Sequence, residues 1–363
     1  MKTSSPITHL QFGLMAATIP AAFAEQFLAS SLRAQTVGWW MPGLFAFGAS
    51  LLLTWPVSAL VARHSEMTML RMVRLRLSTF AAAVVMGPLA IGFFLSAVII
   101  VRIAEQLIAH FILTNSPTAA VQVIVVLTIG ALVATGPTGL GRLSEILILL
   151  IAGPLIAYLL IISFQHVNPW LLRPILANPL THIRVIPLLQ MLIAYSPIPL
   201  LFVYMPHLRS PRRPSLPLRY VFGALALLLL ALSAAVLGVF GPEAGVRLHD
   251  PVLSVLDTSN SSILIFQTIG TLVLTLFLPL FFVAASVNLW AFSNVVEQLV
   301  GQKPSVWWAS GVAVLLFFTV DKSRAFHTTT LLSLWSIGYA SSFLWALLGL
   351  WWTSLITPGQ EPS

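Results

Sequence analysis

The amino-acid sequence predicts an all-α polytopic membrane protein with ten transmembrane helices. The chain has 363 residues, of which 58% are hydrophobic and 8% are charged, and its mean hydropathy is +0.96. Soluble domains carry about 25% charged residues, so this chain has too few polar groups to cover a water-facing surface. Its apolar residues form continuous runs rather than alternating with polar residues, which favours helices over a strand barrel. A soluble enzyme and a disordered regulator are excluded.

Ten apolar segments of the chain are candidates to cross the hydrocarbon layer, which is ~30 Å thick and requires about 20 apolar residues of helix. The fourth and the ninth are the shortest. In chain order, segments one to ten are Leu10–Leu32, Trp39–Ala62, Phe80–Ile108, Val121–Thr135, Leu143–Phe164, Ile186–Met205, Tyr220–Phe240, Ile263–Leu289, Val306–Val320 and Leu331–Ile356. Together they would form a single transmembrane domain over residues 1–363.

The distribution of positive charge between the segments predicts that both termini are cytoplasmic, because cytoplasmic loops are enriched in Lys and Arg. With this topology, eleven of the 18 basic residues lie inside: Lys2, Arg63, Arg71, Arg74, Arg76, Arg142, Arg209, Arg212, Arg213, Arg219 and Lys303. Arg71 and Arg74 share one helical face, and Leu70, Val73 and Leu77 lie on another side. This pattern suits either a short helix in the membrane interface or an ordinary basic loop.

The first segment also has features of a secretory signal peptide. Lys2 precedes an apolar stretch that ends in the small-residue sequence Ala22-Phe-Ala24, which is typical of a cleavage site. Gln11 weakens the apolar stretch, however, and apolar residues continue beyond residue 24. Retention of the first helix is therefore favoured, and cleavage would leave nine segments with the same later loops.

Charged residues within the segments are functional candidates, because burying a charge in hydrocarbon is costly. Glu25 lies in segment one, where it would face either a central cavity or the outer headgroups. Arg102 and Glu105 lie three residues apart near the end of segment three, a spacing at which they would neutralise each other. Arg142 and Glu145 have the same spacing at the start of segment five and would clamp that helix end.

No catalytic or metal-binding motif is present in the sequence. The chain has no Cys, and none of its 8 His residues pairs with another His, Asp or Glu at the spacing of a helical metal site. We therefore expect no enzymatic activity, no metal and no cofactor. The net charge of +8 is distributed between apolar segments rather than clustered on a soluble fold, so we expect no nucleic-acid binding.

Prolines in segments one and six indicate a candidate ligand site. Transporters built from inverted repeats bind their ligand near the membrane midplane, between discontinuous helices in corresponding positions. Segment one is interrupted at Thr18-Ile-Pro20-Ala21-Ala22, and segment six at Tyr195-Ser196-Pro197-Ile-Pro199. Each proline removes a backbone donor and frees carbonyl groups, and the small side chains would let a ligand approach the backbone. The alternative is plain kinking, because other segments also contain prolines.

Short motifs occur in a characteristic order along almost the whole chain. Gln11 opens segment one, Gly38-Trp39 opens segment two, and Arg102 is followed by Ser116-Pro117. Further motifs are Gly139-Leu-Gly-Arg142-Leu-Ser-Glu145, Asn168-Pro-Trp-Leu-Leu-Arg-Pro174-Ile-Leu, Pro206 and Asp250-Pro251-Val-Leu-Ser-Val. In this order and spacing the chain resembles the spore germination permeases, which are the B subunits of nutrient germinant receptors in the amino acid–polyamine–organocation superfamily.

The resemblance implies a LeuT-like fold, a five-plus-five inverted repeat with broken helices one and six. Repeat one would cover about residues 10–164 and repeat two about 186–356. The resemblance also implies an amino-acid-like germinant as ligand, A-type and C-type receptor subunits as partners, and contact with membrane lipid. The protein would lie in the inner spore membrane or the cell membrane of a spore-forming bacterium.

The chain departs from this family at three places. Pro20-Ala21-Ala22 stands where relatives carry Gly-x-Gly, segment six lacks the Glu that usually precedes its closing proline, and Phe266-Gln-Thr268 replaces a Glu-Arg region. These changes affect ligand recognition more than the fold. They favour either a more apolar ligand or a loss of ordinary germinant recognition.

The sequence and the resemblance together predict a non-enzymatic membrane sensor that binds its ligand between the breaks in segments one and six. Freed backbone groups would hold a carboxylate and an ammonium group. Thr18, Tyr195 and Ser196 would add hydrogen bonds, and Phe94 would form an apolar wall. The alternative is an amino-acid permease coupled to protons or Na⁺, which needs carboxylates or hydroxyl clusters deep in the bundle. The core offers little of this kind beyond Glu25.

Overall fold

The structure is a computed structural model that describes most of the chain. The described residues are 6–24, 44, 47–49, 51–52, 54, 68–76, 78–109, 116–172, 198–209, 215–248, 251, 254–255, 264–301, 306–324 and 328–356. Most of segment two, Glu25 and the residues Tyr195, Ser196 and Pro197 of the candidate site lie outside these ranges.

The described residues are folded into α-helices joined by short connections, which confirms the predicted fold class. The helices are α1 (His9–Ala22), α2 (Met69–Arg76), α3 (Thr79–Leu107), α4 (Thr118–Ala134), α5 (Gly136–Gln165), α6 (Ile198–Tyr204), α7 (Ser215–Arg247), α8 (Leu264–Val300), α9 (Val306–Ser323) and α10 (Thr328–Ile356). Two 3₁₀ helices cover Pro169–Leu172 and Met205–His207. Since α2 lies between segments two and three, the labels α3 to α10 correspond to segments three to ten.

Within the described residues, five helical stretches are long and apolar enough to cross a membrane. They are Thr79–Leu107, Gly136–Ile156, Leu218–Gly241, Thr275–Val300 and Thr330–Gly349, and Thr118–Ala134 forms a shorter apolar helix. These stretches support an integral membrane protein. The predicted total of ten spans includes segments that lie partly or wholly outside the described residues.

Two helices extend well beyond the segments that hydropathy predicts. Helix α5 begins at Gly136 instead of Leu143, and α8 ends at Val300 instead of Leu289. Hydropathy marks where the hydrocarbon layer ends, whereas backbone hydrogen bonds continue a helix into polar surroundings. Gly136 has φ 72°, a value that favours glycine and lets the chain turn directly from α4 into α5.

Helix α8 lies at the centre of the bundle, where it packs against α1, α3, α4 and α5. Helices α2 and α10 pack against α3, while α7 packs against α1 and α9 against α4. The two ends of the bundle are marked by contacts between distant parts of the chain. At one end Ile7 pairs with Leu208, and at the other Arg324 contacts Glu105. We call these the Ile7 end and the Arg324 end; the predicted topology makes the Ile7 end cytoplasmic.

A glycine in α3 permits close contact with α10. A Cβ atom at Gly92 would lie 2.6 Å from Cδ2 of Tyr339, whose ring packs edge-on against Phe93 at 6.2 Å. We therefore expect Gly92→Ala to lower the free energy of unfolding by about 1–3 kcal/mol, because the buried ring must move. Thermal unfolding of the purified chain measures this change.

Gly87→Ala is the matched control in the same helix. A Cβ atom at Gly87 meets nothing within 4 Å, so the control should be neutral or stabilise α3 by about 0.5–1 kcal/mol. Equal effects of the two substitutions would show that Gly92 is not required for the contact between α3 and α10.

Candidate functional site

The first wall of the candidate site is the end of α1. The helix continues through Pro20 and ends at Ala22, so α1 ends at the last residue of the predicted stretch Thr18–Ala22 rather than at Pro20. Phe23 follows with φ −90° and ψ −2°, and its N–H donates to the carbonyl of Ile19 at 3.1 Å. A helix accepts proline by giving up one backbone hydrogen bond, which explains why Pro20 does not end α1.

Thr18, Pro20 and Ala22 are buried, and Ala21 is partly buried. The Thr18 hydroxyl donates to the carbonyl of Met15 at 2.7 Å. Because this bond uses its proton, the hydroxyl oxygen offers lone pairs, so Thr18 is suited to accept a hydrogen bond from a ligand.

Three aromatic rings lie next to the end of α1, and we call them the aromatic wall: Phe23, Trp335 and Tyr339. The ring centroids of Phe23 and Trp335 are 4.9 Å apart and those of Trp335 and Tyr339 are 5.4 Å apart, both stacked. Trp335 Nε1 donates to Ser96 Oγ at 2.7 Å, and the Trp335 side chain is buried. Ser96 on α3 therefore fixes the orientation of a Trp on α10 against α1.

Sequence reasoning missed the aromatic wall. Pairs of Trp residues at segment ends, such as Trp351 and Trp352, are typical interfacial anchors. Trp335 instead lies within segment ten, where its indole N–H requires a buried acceptor. That position was the one signal in the sequence that could have identified it.

Phe94, the expected apolar wall, packs elsewhere. Its ring centroid lies 5.0 Å from that of Phe292 on α8, whereas the preceding residue, Phe93, contacts Tyr339 on α10. Successive residues of a helix point about 100° apart. The face of α3 nearest the aromatic wall is therefore that of Phe93 and Ser96, and Phe94 lies between α3 and α8.

Helix α6 begins at Ile198, directly after the expected ligand-binding residues Tyr195, Ser196 and Pro197, which lie outside the described ranges. Tyr204 at its end is fully buried, and its hydroxyl donates to the carbonyl of Val287 at 3.0 Å. Its ring centroid lies 6.0 Å from that of Phe12 on α1 and 4.6 Å from that of Trp290 on α8. Tyr204 thus joins α6 to α1 and α8, a role that sequence reasoning did not assign.

A backbone bridge joins the start of α1 to the chain that follows α6. The N–H of Ile7 donates to the carbonyl of His207 at 2.9 Å, and the N–H of Arg209 donates to the carbonyl of Ile7 at 2.9 Å. The His207 ring packs edge-on against Trp290 at 5.3 Å. Burial lowers the pKa of His207 below its ordinary value, which favours the neutral ring near pH 7.

A hydrogen bond between side chains of α1 and α5 adds to the backbone bridge at the Ile7 end. Gln11 Nε2 donates to Glu145 Oε2 at 3.0 Å, and Gln11 also completes a capping box with Thr8 at the start of α1. The expected clamp between Arg142 and Glu145 is therefore corrected. Because α5 packs against α1, Glu145 meets an amide donor from α1, while Arg142 is exposed.

At the Arg324 end, Arg102 and Glu105 both contact the end of α9. Arg102 Nη1 donates to the carbonyl of Ser323 and to its hydroxyl, and Glu105 Oε2 lies 3.4 Å from Arg324 Nη2. Arg102 and Glu105 still attract each other electrostatically, as expected, but each makes its direct contact with the end of α9 rather than with the other. A cation at the last carbonyl groups of a helix complements its dipole, and this favours the position of Arg102.

Two further side chains complete the Arg324-end cluster, which consists of Arg102, Glu105, Gln122, Asp321 and Arg324. Arg324 donates to Gln122 Oε1 at 2.7 Å and lies 3.7 Å from Asp321. Gln122 Nε2 in turn donates to the carbonyl of Phe317 at 2.8 Å. The cluster therefore joins the ends of α3, α4 and α9. Within the part of the chain that the structure describes, no group of three or more His, Asp or Glu residues is placed to hold a metal ion.

The chain matches the sequence model of a known protein family over most of its length. The sequence model of a spore permease family, described as spore germination protein, matches residues 7–327. No curated protein matches the chain.

Comparison with solved structures gives transporters of the LeuT fold. MhsT in complex with L-phenylalanine superposes with a TM-score of 0.69 at 13% identity, covering 95% of this chain and 88% of that one. A manganese transporter mutant from Eremococcus coleocola gives a TM-score of 0.63 at 11% identity, covering 94% and 78%. A Na⁺-coupled sialic acid symporter, in a substrate-bound outward-open state, gives 0.60 at 14% identity, covering 95% and 78%. At these identities the likeness shows the fold alone, and it confirms the predicted LeuT-like class.

Proposed function

Since the chain belongs to the spore germination protein family, we propose that it is the ligand-binding membrane subunit of a nutrient germinant receptor. It binds a small amino-acid-like germinant and thereby triggers germination. Signalling follows if the ligand binds one arrangement of the helices better than another. The match over residues 7–327 is the observation that carries the proposal.

In this proposal the ligand lies between the end of α1 and the start of α6. The freed carbonyls near Pro20 accept hydrogen bonds from the ligand ammonium, and Thr18 adds an acceptor. Tyr195, Ser196 and Pro197 face the ligand from segment six, and the aromatic wall closes the side towards α3 and α10. The support for this placement is that α1 ends at Ala22, directly beside Phe23 and Trp335.

An amino-acid-like ligand is the first to test for two reasons. MhsT, which shares this fold, was crystallised with L-phenylalanine. The described lining is also largely apolar and aromatic, which suits an apolar side chain.

The proposed partners are A-type and C-type germinant receptor subunits together with membrane lipid. The proposed location is the inner membrane of the spore or the cell membrane of a spore-forming bacterium, with both termini cytoplasmic. Co-purification of the three subunits from co-expressing cells tests the assembly. Recovery of this chain alone would contradict the receptor complex.

The ligand site is tested by thermal unfolding of the purified chain with L-phenylalanine and other L-amino acids, and with a sugar and a nucleoside as other chemical classes. A ligand that binds only the folded state at 100 times its Kd stabilises that state by about 2.7 kcal/mol. We expect selective stabilisation by an amino acid, and we expect Ala21→Trp combined with Ser196→Trp to abolish it by filling the site.

Ala131→Trp is the control for the Ala21→Trp half of the variant, because Ala131 is exposed on α4 and the same Ala-to-Trp change is made there away from the site. The control should retain the ligand response. Retention by the double variant as well would show that the ligand does not bind between α1 and α6. If no compound stabilises the chain, the same screen on the three-subunit complex decides whether the site requires its partners.

The second candidate function is an amino-acid permease coupled to protons or Na⁺. The solved structures that favour it are transporters, and one of them is a Na⁺-coupled symporter. Reconstituted liposomes separate the two functions: a permease concentrates a bound amino acid in response to an imposed gradient, whereas a sensor binds it without uptake. Gradient-dependent accumulation would therefore replace the receptor proposal.

A further inference from the structure

A cavity lined mostly by polar residues opens at the Ile7 end, away from the candidate ligand site. Its volume is about 760 Å³, and it lies between α2, the start of α3, the end of α8 and the 3₁₀ turn after α6. The lining residues are Thr68, Leu70, Arg71, Arg74, Ser78, Thr79, Pro206 and Gln298. We call it the Arg71 cavity.

The amphipathic helix α2 presents its two arginines to this cavity. Leu70 and Val73 are buried against the bundle with 2% and 0% exposure, whereas Arg71 and Arg74 are exposed. The sequence left open whether these residues form a helix or a loop, and the structure shows a helix. The apolar side of α2 anchors this helix on the bundle. The two arginines are therefore held at the mouth of the cavity rather than on a free loop.

Arg74 is already positioned by the cavity walls. Its Nε donates to Thr79 Oγ1 at 3.1 Å and its Nη1 donates to the carbonyl of Gln298 at 3.4 Å. A guanidinium group has five N–H donors, so these two bonds orient the group and leave donors for a ligand.

Arg71 contributes a second guanidinium group. Among the described residues, the side chain of Arg71 makes no hydrogen bond or ion pair, and its backbone N–H donates to Thr68 Oγ1. The lining in the described part of the chain includes no Asp or Glu. Among the described lining residues, the two guanidinium groups therefore have no carboxylate to compensate their positive charge.

Hydroxyl groups and the start of α3 also favour an anion in this cavity. Ser78 caps α3 by accepting from the N–H of Ala81 at 3.1 Å, so the positive end of the dipole of a 29-residue helix lies at the cavity. Thr79 and Ser78 also have hydroxyl protons that are available for donation. Guanidinium forks and hydroxyl donors together match the oxygen atoms of a phosphate group.

We infer that the Arg71 cavity binds a phosphate group through Arg71 and Arg74. This inference is independent of the germinant ligand and of the receptor role. The phosphate belongs either to the headgroup of an anionic membrane lipid, which is abundant in cytoplasmic leaflets, or to a small soluble phosphate. Its binding links α2 to α3, α8 and the turn that contains Pro206, next to the backbone bridge of His207.

The test uses the full chain in nanodiscs made from phosphatidylcholine alone or mixed with phosphatidylglycerol. The readouts are the thermal midpoint and the amount of phosphatidylglycerol that the chain retains in native mass spectrometry. In the pure phosphatidylcholine nanodiscs, inorganic phosphate is titrated against chloride at equal ionic strength. Stabilisation by phosphatidylglycerol identifies a lipid headgroup, and stabilisation by inorganic phosphate identifies a soluble source.

Arg71→Gln is the main variant, because the Arg71 side chain has no partner within the described residues and its loss should leave the fold intact. We expect this variant to lower the affinity for whichever probe stabilises the chain, phosphatidylglycerol or inorganic phosphate, by about tenfold or more. This is the usual contribution of a hydrogen bond that involves a charged group. Arg71→Lys keeps the charge but loses the fork, so it should retain part of the affinity. Combination with Arg74→Gln should remove the effect completely.

Arg219→Gln is the matched control, because Arg219 is an exposed arginine near the start of α7, at the same end of the bundle but outside the cavity. It should respond to both probes as the unmodified chain does. The inference is overturned if neither probe stabilises the chain, or if Arg71→Gln and Arg219→Gln weaken the response equally.

Discussion

Replacing Glu105 with Ala is expected to lower the free energy of unfolding by about 1.5–3 kcal/mol, the usual contribution of a hydrogen bond that involves charged groups. The Glu105 side chain is 10% exposed, and its carboxylate lies 3.4 Å from Arg324 Nη2. Its loss leaves Arg102 and Arg324 facing each other with one negative charge fewer in the cluster. Thermal or denaturant unfolding in nanodiscs measures the change.

Asp321→Ala is the control within the same cluster. Asp321 is 50% exposed and lies 3.7 Å from Arg324, and exposed pairs contribute about 0–1 kcal/mol. If the two substitutions destabilise the chain equally, Glu105 is not the main partner of Arg324. The double variant Glu105→Gln with Arg324→Gln should destabilise the chain less than the sum of the two single variants, because each single variant already removes the shared interaction.

Replacing Glu145 with Ala is expected to open the Ile7 end about tenfold more often. The hydrogen bond from Gln11 to Glu145 involves a charged acceptor, and such a bond contributes about 1.5–3 kcal/mol. The chain has no Cys, so Ala16→Cys introduces a single thiol on α1, at a position with 2% exposure. The rate at which a water-soluble maleimide labels this thiol measures how often the end opens.

Two controls accompany the labelling experiment. Glu145→Gln keeps an oxygen acceptor without the charge and should give an intermediate labelling rate. Glu243→Ala removes an exposed carboxylate on α7 and should leave the rate unchanged. If Glu145→Ala also leaves the rate unchanged, the backbone bridge between Ile7 and residues 207–209 closes this end without help from α5.

The sequence alone was sufficient to predict the helical membrane architecture. Segment three, predicted as Phe80–Ile108, is the helix Thr79–Leu107, and segment nine, predicted as Val306–Val320, is the helix Val306–Ser323. Long apolar runs are informative because a backbone surrounded by hydrocarbon has to satisfy its hydrogen bonds internally, and a helix does so within one segment. Helix ends such as Gly136 were less predictable, because a helix does not have to stop where the hydrocarbon does.

The structure places part of the candidate site, whose role in ligand binding stays a prediction. Thr18, Pro20 and Ala22 are buried where α1 ends, as a helix break in segment one requires. The matching residues Tyr195, Ser196 and Pro197 remain a prediction. Phe94 was chosen for its position in segment three, but helix rotation turns Phe93 and Ser96 towards the aromatic wall instead.

Charge pairing shows most clearly what the sequence determined and what only the tertiary structure decided. The sequence determined that Arg102, Glu105, Arg142 and Glu145 lie near the ends of apolar segments, because charged groups are excluded from the hydrocarbon. Spacing alone paired them within their own helices, yet Glu105 pairs with Arg324 and Glu145 with Gln11. The partner of a polar group is whichever donor helix packing brings within hydrogen-bond distance, and that depends on how α9 and α1 lie against α3 and α5.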